Sequence, residues 1–208
     1  CQGAATPEKR LSVLYSVPEE LAHMLVQAYG KKTAEKIFAS FYDNRPVTIR
    51  VQTMNASVEQ VREELAQAGV CVADGVYMDT SLIIRDFERI ESLPGFDEGH
   101  FVVQDESSML PVLISGIRPG DTVLDVCASP GGKTFHAADL LKGGGTVLAR
   151  DVSQKKLRRL RENAKRLRAE HVTIEQWDAV DIDAEWSGRA DVVLADVPCS
   201  GIGVIGRK

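Results

Sequence analysis

Apolar and polar positions change their period twice along these 208 residues. Residues 11–30 show helical spacing through Leu21, Met24, Leu25 and Ala28, with Pro18, Glu19 and Glu20 suited to a helix start and Gly30 to its end. The residues before them are polar and unpatterned, and a second helix is expected over 33–41. From 45 the period shortens. PVTIRVQT alternates as a strand, and SVEQVREELAQAG follows as a helix with Ser57 as N-cap, Gln60 at the capping-box position and Gly69 at the stop. VCVAD and SLIIRDF read as two more strands and 90–93 as a short helix, which makes 45–100 a small α+β subdomain.

Residues 100–115 read as a strand and then a helix, and beyond them strand and helix alternate. Apolar runs at 121–127, 146–151, 172–176 and 191–196 fit strands buried in a parallel sheet with helices on both faces, an α/β arrangement. No internal repeat interrupts it.

Composition narrows the class without deciding the function. A 44% hydrophobic share with 26% charged residues is that of a soluble globular chain able to bury a core. A net charge of -5 argues against a protein that grips nucleic acid by bulk electrostatics, but leaves a local basic face open. One candidate exists: between Lys155 and Arg168 eight Lys or Arg surround an apolar stripe of Leu157, Leu160, Ala164 and Leu167. A solvated helix face and a phosphate-contacting surface through Arg158, Arg161 or Arg168 both account for it.

Cys1, Cys71, Cys127 and Cys199 are scattered, with no C-x-x-C pair and no His at ligand spacing, so neither zinc nor a disulfide framework is indicated. Cys71 is expected in the core. No signal pattern and no apolar run of bilayer length occur, so a cytoplasmic protein and no membrane partner are expected. A start at Cys1 and an end inside an expected loop fit a fragment of a longer polypeptide.

Chemistry concentrates in two loops that follow apolar strands. In VLDVCASPGGKT, Pro130, Gly131 and Gly132 follow the strand, while Lys133 and Thr134 open a helix, a place where open α/β sheets bind cofactors. Cys127 stands where a Walker A loop needs glycine, and no G-x-G-x-x-G occurs, so neither an ATP cradle nor the standard dinucleotide fingerprint is present. Asp151, 19 residues after Gly132 at a strand end, suits the hydroxyls of an adenosine ribose. It also suits a helix cap, a role Ser153 could take instead. With Asp178 and Asp196 it forms a row of carboxylates at successive strand ends. In DVVLADVPCSG, Asp196 and Cys199 share a loop. Such a pair suits methylation of cytosine C5, which needs a thiolate at C6, activation at N3, methyl transfer, and removal of the C5 proton with expulsion of the thiol, while a buried structural cysteine is the alternative.

On these segments, together with LPGFDEGHFVVQDESS and RDVSQKKLRRLRENAKRL, the chain resembles the cytosine-C5 RNA methyltransferases, most closely the bacterial 16S ribosomal RNA methyltransferase B (Sun or Fmu) family. The resemblance implies a Rossmann-like S-adenosylmethionine-dependent methyltransferase sheet, cut after its fourth strand, preceded by an RRM-like subdomain and N-terminal helices. The corresponding segments are 101–208, 45–100 and 1–44. It implies that Cys127, Ala128, Ser129, Pro130, Gly131, Gly132 and Lys133 wrap the methionine end of S-adenosylmethionine, that Asp151 holds the ribose, and that Asp178 lies near the adenine. Asp196 is implied near the sulfonium and the target base, and Cys199 in release of the methylated base. The implied partner is 16S ribosomal RNA, with no metal and a monomeric state.

Two residues depart from the family's pattern, Arg150 in place of an apolar strand residue and Trp177 in place of a small one. The family's nucleophilic Cys belongs to a Thr-Cys motif that these 208 residues do not contain, so the fragment is expected to be inactive. The rival reading is a non-catalytic RNA-binding or ribosome-assembly module.

Overall fold

A computed structural model describes residues 6–42 and 46–199. The chain divides into two compact units, of which Pro46–Pro198 is the larger.

The helices before it form the other. α1 (Pro7–Tyr15), α2 (Glu19–Tyr29) and α3 (Lys31–Ala39) bury Leu11, Val17, Leu21, Ala22, Ala34 and Phe38 against one another. The Thr6 hydroxyl accepts from Lys9 N at 3.2 Å and Pro7 opens α1, so a helix stands partly within residues read as unpatterned. Ser16 in the left-handed region ends α1, and Pro18 precedes α2. The expected helical stretch 11–30 is therefore two helices.

In the larger unit the first sheet consists of β1 (Val47–Val51), β2 (Cys71–Asp74), β3 (Ser81–Arg85) and β4 (Phe101–Val103), with α4 (Val58–Gln67) between the first two. Its order is β2-β3-β1-β4 with every neighbouring pair antiparallel, the ferredoxin-like arrangement. β4 supplies the fourth strand from just past residue 100. Ser57 caps α4 by accepting from Gln60 N at 3.1 Å. Cys71 is exposed rather than in the core, because β2 is the edge strand.

One face of this sheet makes an apolar core of Ile49, Val51, Leu82, Ile84 and Phe101 with Val61 and Leu65 of α4. The opposite face is not left to solvent. Arg50, Gln52, Val102 and Gln104 on or beside β1 and β4 are buried as well.

The second sheet takes β5 (Thr122–Asp125), β6 (Thr146–Asp151), β7 (Val172–Gln176) and β8 (Val192–Leu194) in the order β7-β6-β5-β8, all parallel. α5 (Glu106–Ile114) precedes it, and α6 (Gly132–Leu141) and α7 (Gln154–Arg166) connect its first three strands. This is the Rossmann-like half. α6 is buried on nearly its whole circumference, from Thr134 through Asp139 and at Leu141. An all-round buried helix needs cover on two sides.

Arg50 reaches it across the gap, with Nη1 3.4 Å from Asp139 Oδ2, Nε donating to Gln104 Oε1 at 2.9 Å and Nη2 to Gln52 Oε1 at 3.0 Å. Asp139 also accepts from Thr53 N, Thr53 Oγ1 and Met54 N at 2.9–3.0 Å. Burial lowers the Arg50 pKa to about 10 despite Asp139. Further along, Asn55 Nδ2 donates to the carbonyls of Gly99 and Leu167, and Arg166 Nη1 donates to those of Phe96 and Phe101. Arg166 is thus an interdomain tie and not part of α7's solvent-facing basic ring. Glu106 makes another, accepting from Val76 N, Tyr77 N, Met78 N and Ser81 Oγ. Burial alone would raise its carboxyl, but the Ser81 hydroxyl and the three N–H groups hold it below its ordinary value.

Candidate active site

The carboxyl ends of β5 to β8 line up along one edge of the parallel sheet, and the strand order reverses between β5 and β8. Open α/β sheets bind ligands at such a switch point. Residues 126–131 leave β5 here, with Ala128 N donating to Arg150 O at 2.9 Å and Ser129 N to Asp151 Oδ2 at 3.4 Å. Ser129 Oγ donates to Lys156 O, and Asn163 Nδ2 donates to Pro130 O, so α7 also braces the loop.

Gly131 has a φ of 111°, and a Cβ there would lie 2.1 Å from the Phe135 ring and 2.9 Å from Leu160. Its glycine is required by the fold itself. Gly132 begins α6, and a Cβ there would make only ordinary contact with Gln104.

Asp125, which no local pattern in the sequence singles out, is buried at the end of β5. Its Oδ2 accepts from Thr134 Oγ1 at 2.7 Å and its Oδ1 from Cys127 N at 3.3 Å. Burial raises its pKa, opposed by Thr134 and the Cys127 amide. Burial also raises the Cys127 thiol, and Asp151 and Asp125 push it further, so Cys127 stays a thiol.

Asp151 is 3% exposed. Its Oδ1 accepts from Ser153 N at 3.2 Å and lies 3.6 Å from Lys156 Nζ. The Ser153 side chain makes no cap bond to α7, so the local turn role falls to Asp151. Each carboxylate oxygen retains acceptor capacity beyond these bonds, which fits a ribose diol. Asp178 is exposed beyond β7 and accepts from Val180 N at 3.1 Å.

Asp196, beyond β8, lies 2.5 Å from Lys133 Nζ at the start of α6. This pair joins the two loops that lie far apart in the sequence. Cys199 is exposed and follows just past the larger unit. Arg150, read as a departure, points into a cluster with Glu175, Asp183, Trp177 and Trp186.

A ferredoxin-like sheet tied to a Rossmann-like sheet, with carboxylates along its switch edge, defines a two-sheet α/β core of the cofactor-binding class. The family model described as 16S rRNA methyltransferase RsmB/F matches residues 112–208, and the Methyltr_RsmF/B-like ferredoxin-like domain matches 17–91. The chain belongs to this family. It is 34% identical over 203 residues to the probable ribosomal RNA small subunit methyltransferase B of Bacillus subtilis (strain 168), covering 97% of this chain and 45% of that protein. It is 31% identical over 202 residues to the 28S rRNA (cytosine(4447)-C(5))-methyltransferase of Homo sapiens, covering 96% of this chain and 25% of that protein. The solved structure of a methyltransferase homolog protein from Pyrococcus horikoshii superposes with a TM-score of 0.78 at 28% identity, over 99% of this chain and 67% of that one. The chain thus spans less than half the length of these two curated relatives.

Proposed function

We propose that this chain carries the S-adenosylmethionine site, and part of the base-handling loop, of an enzyme that methylates cytosine C5 in 16S ribosomal RNA. The observation that supports the reading is the Lys133–Asp196 contact, which brings the start of α6, just past the glycine loop, and the segment after β8 together at the switch point. S-adenosylmethionine, when bound, supplies a methyl group on a cationic sulfonium. Asp151 accepts from the ribose hydroxyls, the 127–133 loop surrounds the methionine portion, and Asp178 lies toward the adenine. Asp196 faces the flipped-out base, where a carboxyl can hydrogen-bond at N3. Cys199 takes part in releasing the methylated base. The attacking thiolate is assigned by the resemblance to a Thr-Cys motif, so the 208 residues alone incubated with labelled cofactor and rRNA incorporate no methyl.

RNA is met in part by the outer face of α7. Eight of the 25 Lys and Arg but one of the 30 Asp and Glu lie within 155–168, which leaves 17 against 29 elsewhere. Arg158, Arg161 and Arg168 are exposed there. A basic face on an otherwise acidic chain orients a polyanion toward that face.

Calorimetry with S-adenosylhomocysteine tests the cofactor site. Asp151→Ala removes a charged acceptor and costs roughly 1.5 to 3 kcal/mol of binding. Unchanged affinity removes Asp151 from the site, and no binding by the unsubstituted chain favours the RNA-binding module instead.

A further inference from the structure

Arg150 is the next-to-last residue of β6 and is 4% exposed. Its Nε and Nη2 donate to Glu175 Oε2 at 3.2 and 3.0 Å, and Nη2 also donates to Asp183 Oδ2 at 2.7 Å. The guanidinium carbon lies 4.7 Å from the centroid of the Trp177 ring and 5.8 Å from that of Trp186. These are the two tryptophans of the chain. A planar cation can satisfy a fork of carboxylates and lie on aromatic faces at once, which lysine cannot.

The segment after β7 folds around this group. Trp177 N donates to Asp151 O at 3.3 Å, Trp177 Nε1 to Asp181 O at 3.1 Å, Asp181 N to Asp178 O at 3.0 Å and Trp186 N to Asp183 O at 3.2 Å. Asp183 Oδ1 accepts from Glu185 N at 3.0 Å. The hydrogen bond from Arg150 holds the Asp183 carboxyl below its usual range. Residues 177–186 are therefore hung from the end of β6, next to Asp151, by the Trp177 backbone bond at their start and by one buried side chain. Without that anchor they have little cover, since Val180 is 84% and Ile182 94% exposed.

We infer that Arg150 is a positioning residue for the nucleoside half of the cofactor: by clamping 177–186 it fixes Asp178 and the Trp177 backbone beside Asp151. The inference rests on the S-adenosylmethionine reading of the site. It turns the two departures from the family pattern into one device, in which Arg150 and Trp177 replace an apolar residue and a small one together.

The test uses the 208-residue chain, with S-adenosylhomocysteine and 5′-methylthioadenosine as probes and tryptophan emission as a second readout. Arg150→Met weakens both nucleosides by about tenfold, the cost of ordering one or two side chains on binding, and shifts the emission to the red as the rings become wet. Arg150→Lys keeps the charge but not the flat face and recovers part of the affinity. Where Arg150→Met fails to fold by circular dichroism, Asp183→Asn releases the clamp from its outer end and shows the same two changes in smaller measure. Red-shifted emission with nucleoside affinity within twofold of the parent overturns the inference alone. No nucleoside binding by the unsubstituted chain overturns the cofactor reading and the inference with it.

Discussion

Lys133 Nζ and Asp196 Oδ2, 63 positions apart in the chain, lie 2.5 Å from each other across the switch point of the parallel sheet. The Lys133 side chain is 19% exposed and that of Asp196 60%, so water screens the pair and it adds little to folding. Under the proposed cofactor reading its weight falls on the ligand, with Lys133 offsetting the charge of a carboxylate that would meet the cationic sulfur.

Removing that offset discriminates between two cofactors that differ by a methyl group and a charge. In Lys133→Met the preference for S-adenosylmethionine over neutral S-adenosylhomocysteine rises by about twofold to fivefold, the range of an exposed ion pair, and in Asp196→Asn it falls. Paired calorimetric titrations at low salt read the ratio, and a ratio unmoved in both variants shows that Asp196 does not face the sulfur.

His136 makes stability depend on pH. Burial, aided by the nearby Arg50 charge, lowers its pKa from 6.5 to about 3, and its Nδ1 has no hydrogen-bond partner. The unfolded chain takes up a proton as pH falls through 6.5 while the folded chain does not, so stability declines from there toward pH 3. The slope is about 1.4 kcal/mol per pH unit below 6. Urea unfolding between pH 6.5 and 5 measures it, and His136→Leu should flatten the slope by that amount.

Asp139 carries a larger share of stability. Asp139→Ala strands the buried Arg50 charge and the Thr53 and Met54 amides, which costs about 3 to 5 kcal/mol. A loss below about 1 kcal/mol in denaturant titration means that the two sheets are held by their apolar contacts instead.

Replacing Arg158 and Arg161 of α7, together with Arg168 just past its end, with Glu should flatten the log-log salt dependence of rRNA binding by about one unit for each phosphate no longer neutralised. A slope equal to the parent's makes the helix a solvated face.

Local signals and burial agree over much of the chain, and there the sequence alone is legible. β6 occupies the expected residues because its apolar run is buried on both faces, β7 because VTIEQ alternates at the sheet's edge, and α4 begins after Ser57 as its cap demands. Legibility ends where distant residues decide. Arg50 looks like the polar half of an alternating strand, yet it is fully buried, because the far face of its sheet meets α6. Arg166 sits in a basic run and is taken out of it by the carbonyls of Phe96 and Phe101. Gly131 reads as a residue kept small for closeness to a ligand, whereas Phe135 and Leu160 already require it. Asp125 and His136 gain their character from burial, which no local pattern records.

The outward face of a ferredoxin-like sheet is commonly thought of as a free tray on which a strand of nucleic acid can lie. Here Arg50, Gln52, Val102 and Gln104 have spent that tray on α6, the helix that opens at Gly132. The small domain is thus a splint for α6. A chimaera that exchanges it must carry Arg50, Gln52 and Thr53 along with Asp139 as one inherited set.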